Sequence, residues 1–398
     1  RKSVTGTEEE QVMAGIGVRL NNIYGKNSLM ADVVGFAYST AITVAPMLLV
    51  ILDILLMGFV LDFDSVAYLE RELFSCTVLY VFVFSMLTTS PFNSVLSKYM
   101  QDVIYEERYE DILPCYYVGM FLAVCISSLL AVPFCLWEYF VGEVSLFYVF
   151  VGFCCYMLLV MVLYSMIYLS SCKEYQLISI FFMCGLAIAF LAAFILRLLL
   201  HWSVPFCMLF ALTLGFFLIA VLEYVTIKRY FKKNSNRYKA VLVYFKTFWQ
   251  LAATNFFYVL GLYVHNFVFW TTDMRIVVAE SFVCNQPYDM ATCLAMFTNI
   301  SATVIFTSRV EMYFHEKYKA YSEAVIGGKG ADIENAKQRM FRKLSSELLS
   351  LVRIQFIISV TIYLLCIVIL PQVGFAGTIL RIYPCLAAGY FILFLLYA

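Results

Sequence analysis

The sequence predicts an all-α, polytopic transmembrane helix bundle, and three observations carry that prediction. Of the 398 residues, 63% are hydrophobic, 18% aromatic and only 14% charged, whereas a soluble domain runs at about 45–50% apolar and about 25% charged. The apolar residues gather into runs of roughly 20 or more, the length a helix needs to cross about 30 Å of hydrocarbon. Lysine and arginine are rich in alternate connections between those runs, as they are when successive connections face opposite sides of a bilayer. A water-soluble enzyme, a disordered chain, a coiled coil and a secreted disulfide scaffold are excluded by the same figures. The 27 basic and 27 acidic residues cancel, so there is no basic footprint for nucleic acid.

Nine runs are complete: 33–61, 73–97, 112–137, 144–170, 176–200, 203–224, 249–271, 289–310 and 351–372. A tenth begins near Tyr383 and ends with the sequence at Ala398. Its 16 residues would rise about 24 Å, short of a full crossing. Because the chain also starts at Arg1, it reads as a segment of a longer protein with two lobes of six helices, about ten spans of which are present here. With the N-terminus placed in the cytoplasm, 23 of the 27 lysines and arginines fall inside, and only Arg71, Arg197, Arg275 and Arg381 fall outside. Trp137, Trp202, Trp270 and Trp249 then sit at span ends, where aromatic rings anchor in the headgroup layer.

The organisation along the chain follows. Residues 1–32 form a cytoplasmic N-terminal segment in which Met13, Ile16, Leu20 and Ile23 mark a helix lying on the membrane face. Residues 33–224 make an N-lobe of six spans, and 225–248, with seven basic residues, is a cytoplasmic joint. Residues 249–398 make a C-lobe of three full spans and a truncated fourth. Within it, 311–350 reads as a cytoplasmic helical hairpin turned at Gly327, Gly328 and Gly330. GGKG there is not a phosphate loop, lacking the spacing, the following Ser/Thr and a preceding strand.

Polar residues inside spans are the functional candidates, because burying them in hydrocarbon is unfavourable unless they face a bundle interior or a water-filled path. Asp53 stands seven residues beyond Pro46, which should kink or break the first helix and free carbonyls to line a cavity. A structural acid bonded to a neighbouring helix is the alternative. The seventh span carries Asn255, Tyr258, Tyr263, His265 and Asn266, and the eighth carries Asn299. His265 can either bond a hydroxylated substrate or serve as a satisfied packing residue. There is no nucleophile elbow, no HExxH and no paired carboxylate spacing, so no catalysis is expected. The 13 cysteines contain no CxxC pair, and neither a metal nor a cofactor is called for. Cys284 and Cys293 are the one pair with a chance of bridging outside the membrane.

Four stretches are jointly specific: AGIGVRL at 14–20, VLSKYMQDVIYEERYEDILPCYYVG at 95–119, FFYVLGLYVHNFVFW at 256–270, and YDMATCLAMFTNISATVIFTSRVEMYFHEKYKAY at 288–321. In this order they resemble the PelG family of Pel exopolysaccharide transporters, from residue 14 to the end. The resemblance implies a place in the multidrug/oligosaccharidyl-lipid/polysaccharide flippase superfamily, with two six-helix lobes around a central cavity. It further implies passage of an amino-sugar-rich polymer across the bacterial cytoplasmic membrane. The implied partners are a PelF-like glycosyltransferase and PelD-like and PelE-like membrane proteins. The chain departs from the pattern where many members carry an Asp-Lys pair and it has His265 and Asn266. Two other functions compete: a cation-driven lipid-linked oligosaccharide flippase or multidrug antiporter, and a scaffold whose 311–350 hairpin docks a synthase.

Overall fold

A computed structural model describes residues 29–172, 174–309, 315–369, 371 and 377–397, and there the chain is almost wholly helical. The helix expected over 13–29 lies outside these residues, except for its last position. In chain order the helices are α1 (Leu29–Val60), α2 (Tyr68–Tyr105), α3 (Ile112–Phe140), α4 (Leu146–Ser171), α5 (Tyr175–Leu200), α6 (Val204–Tyr230), α7 (Tyr238–Thr247) and α8 (Trp249–Phe269). After a hairpin of β1 (Ile276–Val278) and β2 (Phe282–Cys284) come α9 (Gln286–Arg309), α10 (His315–Gly327), α11 (Gly330–Ile369) and α12 (Gly377–Tyr397). Among the described residues eight helices are long and apolar enough to cross a membrane: α2 to α6, α8, α11 and α12. The protein is therefore a multi-pass membrane protein.

Three expectations need correction. Pro46 does not break the first helix: α1 runs through it without interruption, because a proline removes one helical hydrogen bond while its neighbours keep theirs. The last helix is longer than expected. It starts at Gly377, ahead of Arg381 and Pro384, and its 21 residues rise about 31 Å, enough to cross. The β-hairpin was not anticipated; Ile276 pairs with Cys284, Val277 with Val283 and Val278 with Phe282, mostly β-branched and aromatic residues that suit a pleated pair. Its strands are only three residues long, too short for a period-two pattern to show. Cys284 and Cys293 are not joined by a disulfide.

The described residues pack as two compact units, one within 46–285 and one of residues 29–45 with those from 286 onward. In the first, α6 lies against α5 and α4, and α2 against α4 and α8. The division differs from a seam at 225–248, since α8 and the hairpin belong with the earlier helices. The reason is aromatic: Trp270 stacks on Tyr80 at 5.2 Å and 4°, Phe267 stacks on Phe84 at 5.9 Å, and Phe282 packs edge-on against Tyr80 and Phe134. Tyr80 also donates to the Val283 carbonyl at 2.9 Å. Trp270 is accordingly buried, a core ring instead of the lipid anchor expected, whereas Trp137 and Trp249 are exposed. Gly142 seats the hairpin: a Cβ there would stand 2.6 Å from the carbonyl oxygens of both Ala279 and Glu138.

In the second unit α9 packs along α12, and α10 folds back on α11. The turn falls at the glycines, with the Gly328 amide donating to the Ala324 carbonyl at 2.7 Å. The second arm of this hairpin is continuous with the ninth span, as α11 runs unbroken for 40 residues.

The basic joint is strapped down. Ser235 donates through its hydroxyl to Asp111 and through its amide to the Glu110 carbonyl at 3.0 Å. Arg108 and Arg237 reach the other Asp111 oxygen at 2.6 and 3.7 Å. Next along the chain, α7 buries Val241 and sets Phe245 on Phe92 and Tyr244 on Tyr99. The Tyr244 hydroxyl donates to Asp102 at 2.5 Å, and Lys98 pairs with the same carboxylate at 3.1 Å. Burial first, and then this bond to Asp102, hold the Tyr244 phenol above its ordinary value. A raised phenol pKa means a contact complete below about pH 10 and lost as pH rises above it. Tyr244→Phe is expected to lower stability by about 1 kcal/mol in thermal unfolding of the purified protein near neutral pH, because Asp102 is partly exposed and water replaces part of the bond.

Candidate functional site

The second helix supplies a row of small hydroxyls. Over 85–94 it reads SMLTTSPFNS, and Ser85, Thr88, Thr89 and Ser90 are all buried. Pro91 has no amide hydrogen, so the Leu87 carbonyl loses its helical donor; the Ser90 hydroxyl takes that place at 2.8 Å. Ser85, Thr88 and Thr89 likewise donate to the carbonyls of Phe82, Phe84 and Ser85 at 3.0, 2.8 and 2.8 Å. Such back-bonding places each hydroxyl proton within its own helix and leaves the oxygen as an acceptor. From α4, the Tyr156 hydroxyl comes within 3.2 Å of Thr88, and the Tyr148 hydroxyl within 3.1 Å of Thr77. The Asn93 side-chain oxygen is buried with no partner among the described residues.

Helix α8 meets this row from the other side. Val259, Leu262, Tyr263, Asn266 and Trp270 form its buried stripe at helical spacing. Asn255 donates to the Ser90 carbonyl at 2.5 Å, and the Tyr263 hydroxyl lies 3.1 Å from the Met86 sulfur. Both side chains therefore bind α8 to α2. Tyr258 and His265 are half-buried beside them, and Asn266 is buried.

Asp53 is in the same compact unit, on a buried stripe with Val50, Met57 and Leu61. One of its carboxylate oxygens has no partner among the described residues. Asn299 is in the other unit, fully buried. It donates to the carbonyls of Ala295 and Ala387 at 3.0 and 3.1 Å and accepts from Gln355 and Ser359, both at 3.3 Å. Beside it the Thr298 and Tyr383 hydroxyls are 2.7 Å apart. Asn299 thus ties α9, α11 and α12 together.

Several buried polar groups were not singled out from the sequence. Glu223 is wholly buried, with neither oxygen partnered among the described residues. Near it lies a hydroxyl cluster in which Tyr116 bonds Ser165 at 2.8 Å and Tyr164 bonds Tyr168 at 3.0 Å. The signal that picked out Asp53, one acid in an apolar run, applies equally to Glu223. It was missed because residue 223 falls one position inside an expected span end at 224, where an acid reads as interfacial; α6 in fact continues to Tyr230.

A set of membrane-length helices whose interior carries neutral hydroxyls, amides and isolated acids defines the class as a multi-pass membrane protein with a polar interior. Such groups hold hydroxylated ligands by bonds that exchange easily. The family model described as "PelG: Putative exopolysaccharide Exporter (EPS-E)" matches residues 13–398, nearly the whole chain, and the chain belongs to that family. Its members are classed as exporters, which are transporters and not enzymes. No curated protein matches the chain.

Proposed function

We propose that the chain carries a Pel-type, amino-sugar-rich exopolysaccharide across the bacterial cytoplasmic membrane, with its N-terminus inside. The polymer is delivered by a PelF-like cytoplasmic glycosyltransferase, and PelD-like and PelE-like membrane proteins complete the assembly. Asp53, Asn255, Tyr258, Tyr263, His265, Asn266 and Asn299 are the side chains we assign to the polymer path. What supports this reading, beyond the family, is the hydroxyl and amide seam on α2 and α8. A polymer of sugars must be held and released at every step, which suits many weak neutral bonds better than a few strong charged ones.

Asp53→Ala and His265→Ala are each expected to lower secreted polymer about tenfold, the factor that one lost hydrogen bond of about 1.4 kcal/mol represents. Immunoblotted membrane abundance should stay at the level of the parent chain. Undiminished secretion in both variants would remove these two residues from the path.

A further inference from the structure

A cavity of about 260 Å³ opens inside the 46–285 unit, between α2, α3, α4 and β2. Its walls are almost entirely apolar: Val81 and Phe84 from α2, Leu130 and Phe134 from α3, Phe153 from α4, and Phe282 from the hairpin. One charged group lines it. Glu138 is only 4% exposed, and its carboxylate makes no hydrogen bond or ion pair among the described residues.

Its shape selects an occupant. Along α3 the lining runs from Leu130 to Glu138, about 12 Å at 1.5 Å per residue, most of the depth of one leaflet of a roughly 30 Å hydrocarbon layer. Glu138 stands at one end. Its neighbours Trp137, Tyr139 and Phe140 are exposed, the pattern of rings at headgroup depth, while the rest of the cavity reaches toward the bilayer interior. A sugar would meet a wall with too few donors and acceptors, and a plain hydrocarbon would leave the carboxylate unpaired at a cost. An amphiphile satisfies both ends: hydrocarbon along the apolar walls, and a cationic N–H donor on the acid.

We propose that this cavity holds one acyl chain of an aminophospholipid, phosphatidylethanolamine, with the ammonium headgroup donating to Glu138. A choline headgroup has the same charge but no N–H, so it cannot make that bond. The full chain, purified in detergent, would be titrated with phosphatidylethanolamine or phosphatidylcholine of identical acyl chains and the bound lipid counted by native mass spectrometry. Phosphatidylethanolamine should be retained about tenfold better. Glu138→Gln should abolish that preference while keeping residual binding of both lipids. Ala131→Phe, which fills the groove without touching the acid, should lose both lipids, and Cys135→Leu serves in its place if the phenylalanine variant does not fold. Equal retention of the two lipids by the parent chain would overturn the proposal, as would an unchanged preference in Glu138→Gln or undiminished binding in a folded groove-filling variant.

Discussion

Gly185→Leu is expected to leave no folded protein in the membrane. Helices α5 and α6 meet through small residues, as membrane helices do where backbones approach closely. A Cβ at Gly185 would stand 2.4 Å from Cγ1 of Ile219 and 2.9 Å from the Gly215 carbonyl oxygen. At Gly215 the corresponding atom would meet the Ala189 Cβ and the Gly185 carbonyl oxygen, both at 3.0 Å. Overpacking a core with extra methylenes typically costs about 1–3 kcal/mol. Here the obstacle includes backbone that cannot rotate away, so the helices must separate and the cost exceeds that range. Gly389 in α12 is the control, because nothing lies within 4 Å of a Cβ built there. Gly389→Leu should express and elute as a single gel-filtration peak, while Gly185→Leu should be degraded or aggregate. A monodisperse Gly185→Leu would show that α5 and α6 do not pack as described.

Asn299→Leu is expected to lower stability by about 2 kcal/mol. Asn299 is fully buried and joins Ala295, Ala387, Gln355 and Ser359 through both ends of its amide. Individual hydrogen bonds between membrane helices average about 0.6 kcal/mol, but this substitution breaks several at once and takes from Gln355 one of its acceptors. Gln355 keeps its bonds to the Thr298 carbonyl and the Ser359 hydroxyl, which limits the loss. The mark of the network is coupling: Asn299→Leu combined with Gln355→Leu should cost less than the sum of the single variants in thermal unfolding. Strict additivity would mean that the two side chains do not act together. A loss of export without loss of stability would show that Asn299 serves the transport path and not the packing.

Most spans were legible because each is a long run whose only alternative to lipid is aggregation, and eight helices of membrane length stand among the described residues; the ends were less so, since α2 runs Tyr68–Tyr105 against the expected 73–97 and α11 begins at Gly330 against the expected 351. The tenth expected span shows the limit. Arg381 and Pro384 look like boundary residues, yet α12 begins ahead of both at Gly377, since one arginine and one proline near a helix end are tolerated when the apolar remainder decides insertion. Glu138 and Glu223 illustrate the same limit for the interior: both stand at the ends of expected spans, where an acid carries no signal, and folding buries both. Trp270 failed in the opposite direction, because a tryptophan at a span end can face either lipid or a partner ring. Its partner, Tyr80, is far away in the chain.

Hydropathy and the placement of lysine and arginine dictate which segments enter the bilayer, because each helix satisfies its own backbone and inserts on its own composition. They also show which polar residues travel with it. Whether a given polar side chain holds two helices together, as Asn255 and Asn299 do, or stands without a partner among the described residues, as Glu223 does, was left to tertiary packing. In hydrocarbon there is no solvent to sort polar from apolar faces between helices. The choice rests on short contacts between residues remote in sequence, and no periodicity within one span encodes them.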